Sequence, residues 1–553
     1  MTKVLDYADI QGNVTRAYGR YSFPFARYVF LHIDTVEAGR RFVDQVRPRV
    51  TTATLWDETT RPEVTLNIGF TFPGLLRLGV PTRTLQRLPN PFIDGMKARA
   101  FLLGDRDQTL TEAEARRQDW CAHWDPIWQA SRDHDGDGAD DVHIWISMNA
   151  RAAAEGRAEP HGALEAQTEW LRGLCAELDR KVRILATNGP KGEDEYQEAS
   201  AVFHDLGGGH LVPTPREHFG LTDGIGNPVF AGQYPDPAVE RRRLIGRGKW
   251  MSRDGRWEPL ATGEFLLGHP DESQEIPPAT VPSGFSNNAT FMVYRKLHQN
   301  VGSWRDFVAS EATGFARAMG IDEAEARETL VAKMVGRWSD GVPLSLEPTY
   351  AEWRAYRRKR GLEHDDPAEA LKAQNAFLSS DDASDFRFGD DMAGIRCPVG
   401  SHLRRVNTRD YLDPLNEPGG RNRDATTQLN KRRRILRRGL PYGDPLSRDL
   451  SDETEQGIAF MAVGASLFRQ FEFVQQQWIQ YGLDFNEGNN TCPLIGDHRV
   501  HDRYPIPADP AGDKPAYIVS RLKTFVETRG GDYFFLPSLS CLSLIAMGAV
   551  DPT

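Results

Sequence analysis

Cysteine is scarce and scattered in this chain: Cys121, Cys175, Cys397, Cys492 and Cys541 are the whole supply over 553 residues. An odd number without close spacing excludes a zinc-finger pattern, a redox CxxC and a readable disulfide framework. Long apolar runs are missing too, so no membrane span is expected. The stretch MTKVLDYADIQG has neither an apolar core nor a small-residue cleavage site, and no secretory signal is expected from it. Positive charge is not in excess: the formal net charge is -11, which argues against nucleic acid or an anionic membrane as a partner. None of the 14 histidines forms an HExxH pair, so that zinc-enzyme arrangement is excluded as well. What is left is a soluble protein of a reducing compartment, expected to be cytoplasmic, with its oligomeric state open.

What is present is α+β patterning. ARYVFLHI (26–33) reads as a strand, and VEAGRRFVDQV (36–46) has helical spacing. EVTLNIGF (63–70) alternates like a strand and PGLLRLGV (73–80) suggests a short helix. DVHIWISM (141–148), the amphipathic ALEAQTEWLRGLCAELD (163–179) and KVRILAT (181–187) follow as strand, helix and strand. Strand-helix-strand, insertion, strand-helix-strand is the split βαβ, or ferredoxin-like, order. The second half repeats it more loosely: TFMVYRKL (290–297) with a helix from about Trp304, then GIAFMAVGA (457–465) running into LFRQFEFVQQQWIQYG (467–482). KTFVETRGGDYFFLP (523–537) suggests a closing hairpin around Gly530-Gly531. At this length two domains are expected, 1–200 and 201–553, with NGPKGEDEYQEAS (188–200) as the linker.

Four stretches could carry chemistry. HFGLTDGIGNP (218–228) sets Asp223 among glycines that permit positive φ and a close approach of backbone to a planar ligand; a plain Asp-Gly surface turn is the alternative. RRRILRRGLPYGDP (432–445) holds an Ile-Leu pair among five arginines, which suggests a strand edge with Arg437 pointing inward beside a solvated Arg432–Arg434. DHDGDGADD (133–141) starts like a calcium loop, but Ile144 stands where a bidentate glutamate is needed, so an acidic surface loop is expected. In RCPVGSHLRRVNTRD (396–410) a single histidine, His402, lies among basic side chains.

Together these segments resemble the dye-decolorising peroxidase family. GLTDG (220–224) matches its GxxDG motif, CPVGSHLRRVNTR (397–409) its proximal-histidine segment and ILRRGLPYG (435–443) its distal-arginine segment. DIQGNV, NIGFTFPGL, MKARAFLLGD, FMVYRKLHQNV, AKMVGRWSDG and RQFEFVQQQW extend the likeness over nearly the whole chain, most like the larger bacterial and fungal branch. The resemblance implies two ferredoxin-like domains with one b-type haem in the C-terminal half, and hydrogen peroxide and aromatic electron donors as partners. His402 would be the proximal iron ligand. The surrounding positive charge, Arg409 above all, would hold the haem propionates. The family usually reads Asn-Pro-Arg where this chain has Asn407-Thr408-Arg409, so the loop is expected to be less rigid. Glu472, or less favourably Ser466, would hydrogen-bond the other nitrogen of His402.

On the distal side Asp223 would move the proton of peroxide and Arg437 would stabilise the departing oxygen. Ile458 and Phe460, two apart on one strand, would line that pocket. Tyr442 and Trp478 match surface electron-relay positions, although Leu467, Phe471, Val474 and Trp478 also make an ordinary core stripe. Two other classes stay open: haem storage or transport, which needs His402 and Arg409 but not Asp223 or Arg437, and a haem-free protein whose basic tracts hold an anionic partner.

Overall fold

The structure, a computed structural model, describes residues 5–550 apart from 21, 106–119, 132–137, 139, 252–253, 278, 411–427, 450, 500 and 511. Asp133, Asp135 and Asp137 of the calcium-like stretch therefore lie outside the described residues. Ile144, at its twelfth position, starts a buried strand.

Nine strands form one sheet. Five come from the first 200 residues: β1 Phe25–Ile33, β2 Val64–Phe70, β3 Ile144–Ala150, β4 Val182–Ile184 and β5 Gln197–Ser200. Four come from the rest: β6 Thr290–Gln299, β7 Leu436–Tyr442, β8 Gly457–Gly464 and β9 Val526–Leu536. The order is β7-β8-β6-β9-β2-β3-β1-β4, with β5 also on β1. Within each half the spatial order is second, third, first, fourth, the ferredoxin-like arrangement. α1 Val36–Val46 and α2 Ala163–Glu177 connect strands of the first half. In the second half, α3 Val301–Met319 follows β6, and a helix over Phe468–Ile479 follows β8. The fold is α+β with two such units. Their two half-sheets join at one ladder pair, Phe535 against Phe70, and on that seam we propose the division near residue 200.

Local chemistry explains the elements. Thr35 caps α1 by accepting from Ala38 N, and Thr349 and Glu352 form a capping box on Tyr350–Arg360. The long segment between α3 and β7 carries α4 Glu323–Val335, α5 Tyr350–Arg360, α6 Pro367–Ser379 and the one-turn α7 His402–Val406. A core of their own, including Trp338, Trp353, Phe377, Phe388 and Phe525, lies beside the main one built on the sheet.

Two expectations change. Gly530-Gly531 makes no hairpin: β9 runs straight through it, with a register shift opposite Lys296/Leu297. A Cβ on Gly531 would sit 2.0 Å from Tyr294 O and one on Gly530 2.1 Å from Trp128 Cδ1, so both glycines admit close neighbours within the strand. The end of the expected linker is also ordered, since Gln197–Ser200 pairs with β1. Among the described residues, no helix is long and apolar enough to cross a membrane.

Candidate active site

Alternation along three neighbouring strands builds one wall of a cavity of about 1440 Å³, part of it open to solvent. Arg295, Leu297 and Gln299 project from β6, Arg437 from β7, and Ile458 and Phe460 from β8. The opposite wall comes from Phe471, Val474 and Ile479 of the Phe468–Ile479 helix, Val406 and His402 of α7, and the loop bearing Leu221–Asp223. Five residues singled out in the sequence, His402, Asp223, Arg437, Ile458 and Phe460, thus share one cavity.

His402 opens α7, directly after Ser401, whose hydroxyl meets Cys397 Sγ at 3.2 Å. Gly336, with φ +94, lets the end of α4 approach this turn; a Cβ there would lie 2.7 Å from Leu403 Cβ. The Nδ1 of His402 lies 3.2 Å from Cys492 Sγ. Burial, reinforced by the positive charge of Arg437, pushes the imidazole down to about 4, so it is neutral near pH 7 and free to act as a donor atom.

Asp223 sits where the glycine loop turns back on itself, with Gly224 and Gly226 at φ +76 and +78. Its Oδ1 accepts from Arg437 Nη1 at 3.0 Å, and half of its side chain is open to the cavity. Burial alone would raise its pKa. The Arg437 guanidinium, the Gly224 N–H and Arg20 outweigh that and hold it below the ordinary aspartate value. Arg437 Nη2 also donates to Ile225 O at 2.6 Å. Asn227 ties the loop to β7 by accepting from Arg437 N at 2.9 Å and donating to Arg437 O at 3.3 Å.

Two features here escaped the sequence. Glu217 is buried under the loop and accepts from Phe219 N (2.8 Å), Leu221 N (2.9 Å) and Gln299 Nε2, and burial pushes its carboxyl up to about 7. Cys492 reaches His402 from 90 residues away. No motif marks either.

The remaining predicted residues lie elsewhere. Arg409 is buried behind Gly226, not in the cavity wall; it donates to Gly246 O and its guanidinium lies 3.8 Å from the Phe386 ring centre. Arg337 and Arg434 lie close enough to lower its pKa further. Four guanidinium nitrogens of this trio, Arg409 Nε and Nη2, Arg337 Nη2 and Arg434 Nη2, have no hydrogen-bond partner among the described residues. Burial lowers Arg337 to about 9 and Arg434 to about 10. Unpaired buried cations are costly, and an anionic edge presented to them would relieve that cost. A flat apolar group with carboxylates along one side therefore suits this cavity and its margin. Arg404 and Arg405 do not serve that purpose: both are buried and donate to the carbonyls of Cys397, Asp391, Gly400, Trp478, Tyr481 and Asn490. The threonine in the Asn-Thr-Arg segment costs little rigidity, since Thr408 Oγ1 donates to Asn430 Oδ1 (2.6 Å) and Asn430 Nδ2 to Arg409 O (3.0 Å).

Glu472 does not meet His402. It takes Arg99 Nε at 2.5 Å and Nη2 at 2.8 Å, and the Tyr533 hydroxyl at 2.8 Å. Ser466 is likewise occupied, accepting from Arg469 N at 3.3 Å. Glu472→Gln should lower stability by about 1.5–3 kcal/mol, the worth of a hydrogen bond to a charged group, while leaving the His402 environment unchanged. Thermal denaturation beside the spectrum of bound haem would check both halves. Neither expected surface relay is at the surface. Tyr442 is 1% exposed and, five positions after Arg437 on the same strand, faces away from the cavity. Trp478 is 3% exposed, between Phe473 and Phe485, with Nε1 donating to Asp484 at 2.9 Å.

No protein-family model matches the chain. Among curated proteins it is 26% identical over 528 residues to a dye-decolorizing peroxidase of Mycena epipterygia, covering 92% of this chain and 81% of that one. A shorter match, 26% over 346 residues, joins 60% of this chain to 56% of dye-decolorizing peroxidase msp1 of Mycetinis scorodonius. Among solved structures, the DyP-type peroxidase of Auricularia auricula-judae superposes with a TM-score of 0.67 at 21% identity, covering 99% of this chain and all of that one. That likeness establishes the fold.

Proposed function

The chain is a haem peroxidase of the dye-decolorising type, and on that premise we propose that it reduces hydrogen peroxide at the cavity just described while oxidising aromatic donors such as dyes and phenols. One observation carries the reading: a carboxylate and a guanidinium, Asp223 and Arg437, face the same cavity as a neutral histidine. A protein that only stored haem would need His402 and Arg409, but neither Asp223 nor Arg437.

The residues present fit one haem b per chain. His402 would hold the iron, Leu297, Ile435, Phe471, Val474 and Ile479 would enclose the macrocycle, and the Arg409, Arg337 and Arg434 guanidiniums would take the propionates. When bound, the haem supplies the redox centre that passes two electrons to peroxide. Asp223 Oδ2, the oxygen not engaged by Arg437, accepts the proton of the incoming peroxide and returns it to the oxygen that leaves as water. Arg437, with Nη1 and Nη2 fixed by Asp223 and Ile225, offsets the negative charge that grows on that oxygen. Phe460 and Ile458 give the pair an apolar flank within the cavity. A second opening of about 1000 Å³, lined by Arg20 and Ser22, reaches the same Asp223, Arg437, Ile458 and Phe460 and offers peroxide an entrance. Overall, one hydrogen peroxide and two donor hydrogens yield two waters and two donor radicals.

The test is the absorption spectrum of the haem-loaded protein before and after one equivalent of hydrogen peroxide. A Soret band that peroxide shifts and a donor restores supports the reading. A band that peroxide only bleaches would replace it with haem storage or transport, and no band at all would remove His402 as a ligand.

A further inference from the structure

Resting on that reading, we infer that Glu217 is a positioning residue for the peroxide step. It clamps the loop that carries Asp223, and it exchanges hydrogen-bond roles with Gln299 as its own carboxyl gains or loses a proton. The clamp is visible bond by bond. The Glu217 carboxylate accepts from Phe219 N at 2.8 Å and Leu221 N at 2.9 Å. Its main chain adds two more bonds, N–H to Leu221 O at 3.1 Å and C=O from Gly220 N at 2.9 Å. Asp223 N then donates to Pro215 O at 2.8 Å, so the acid-base residue hangs from the segment that Glu217 knots.

The last partner of the carboxylate is Gln299 Nε2, from β6 in the wall of the His402 cavity. Gln299 Oε1 is buried and has no hydrogen-bond partner among the described residues. A primary amide carries a donor at one end and an acceptor at the other. An ionised Glu217 takes the NH2 end. A neutral Glu217 can hand its hydrogen to the carbonyl end, which gives the orphaned oxygen a partner. One proton thus decides which way the amide faces.

The three N–H donors favour the charged form of Glu217. Burial outweighs them, the charge of Asp223 adds to it, and the carboxyl titrates at about 7. Around it stand Arg216 and His218 on its own segment, Arg295 on β6, Arg437 on β7, and Arg305, Arg327, Arg357 and Asp340 across a cavity outside the loop. Burial keeps His218 neutral, Arg437 is turned to Asp223, and Asp340 faces Arg357. Below about 7 Glu217 is neutral, and Asp223 supplies the negative charge of the loop. Above it a second negative charge appears, which opposes loss of a proton from peroxide beside it. The peroxide step should therefore slow as pH rises through that value, the alkaline counterpart of the Asp223 limb.

The experiment is a stopped-flow pH profile of the peroxide step in haem-loaded protein. Infrared difference spectra of the same protein, taken without peroxide, follow the protonated carboxyl band of Glu217. Wild type should lose roughly tenfold in rate across the alkaline limb, the worth of one pKa unit between interacting groups. Glu217→Gln keeps the shape but has no proton to lose, so its rate should hold above the limb and pass that of wild type. Gln299→Leu removes a donor that favours the charged form, so the limb and the infrared titration should both move to higher pH. An alkaline limb that persists in Glu217→Gln, or a uniform loss of rate with the profile unchanged, would overturn the inference. So would an infrared titration that Gln299→Leu leaves in place. Wild-type protein that shows the infrared titration but no reaction with peroxide would sink the peroxidase reading and leave the Glu217–Gln299 couple standing. A peroxide reaction without a carboxyl titration near that value would do the reverse.

Discussion

Asp223→Asn should slow the reaction of the haem-loaded protein with hydrogen peroxide by roughly a thousandfold, within the range that a positioned acid-base group contributes. Asparagine keeps the shape of the side chain and an acceptor for Arg437 Nη1, so the loop and its tie to β7 through Asn227 stay in place. What is lost is a group that can take a proton. The pH dependence gives the same test an independent arm. The Asp223 pKa is depressed in the fold, with Arg437 the leading cause of the lowering, so in the proposed mechanism the carboxylate would serve as base above that value and fail only below it. The peroxide step should therefore hold its rate through weak acid and fall only beneath the ordinary carboxylate range, which favours an acidic optimum. Arg437→Leu should do two things at once: slow the step through loss of charge stabilisation, and let the Asp223 pKa rise, moving the acid limb to higher pH. Stopped-flow rates across pH for both variants separate the roles. A limb that stays in place in Arg437→Leu, or one that survives in Asp223→Asn, assigns the titration to another group.

The division between what the sequence made legible and what it did not follows the range of the interaction. Short apolar runs rich in β-branched and aromatic residues announce strands, and β1 and β3, buried along their whole length, were readable on that ground, as β2 was by its alternation. Asp223 and Arg437 drew notice because glycines flank one and an apolar pair precedes the other, but the glycine-flanked segment alone read equally as a plain surface turn, and it was the family resemblance that paired the two. Glu472 was not, because its partner Arg99 lies 373 residues away and nothing in RQFEFVQQQW tells whether the carboxylate turns to a histidine or to an arginine. The same segment winds in wide turns closed by bonds such as Phe473 N–H to Phe468 O, which its apolar spacing does not distinguish from an ordinary helix. Tyr442 misled through position: five residues after an inward arginine reads as nearby in a loop, but on a strand it means the opposite face. The Gly530-Gly531 pair misled through chemistry, since the freedom that suits a turn also suits a strand pressed against Trp128 and Tyr294.

His402→Ala should abolish stable haem retention, raising the haem dissociation constant by at least a hundredfold, more than the 10- to 100-fold that loss of a mere supporting hydrogen bond costs. The prediction depends on how the ring is held. Cys492 Sγ is against Nδ1, which leaves Nε2 as the nitrogen free to meet iron. A thiol partner is a weak hydrogen-bonding group, so Cys492 orients the imidazole more than it raises its basicity, in contrast to the carboxylate expected from Glu472. Removing Cys492 should then cost far less than removing His402, and a substitution to aspartate there should strengthen electron donation to iron and lower its reduction potential. Added imidazole gives the decisive control. The space vacated by His402→Ala opens onto the cavity lined by Val335, Val406 and Leu494, and free imidazole entering it should restore the ferric spectrum and part of the turnover. Arg409→Leu should weaken haem binding by a smaller factor that imidazole does not repair, because its loss falls on the anionic edge and not on the metal. If His402→Ala keeps its haem, or if imidazole rescues Arg409→Leu as well, the assignment of ligand and edge to these two residues fails.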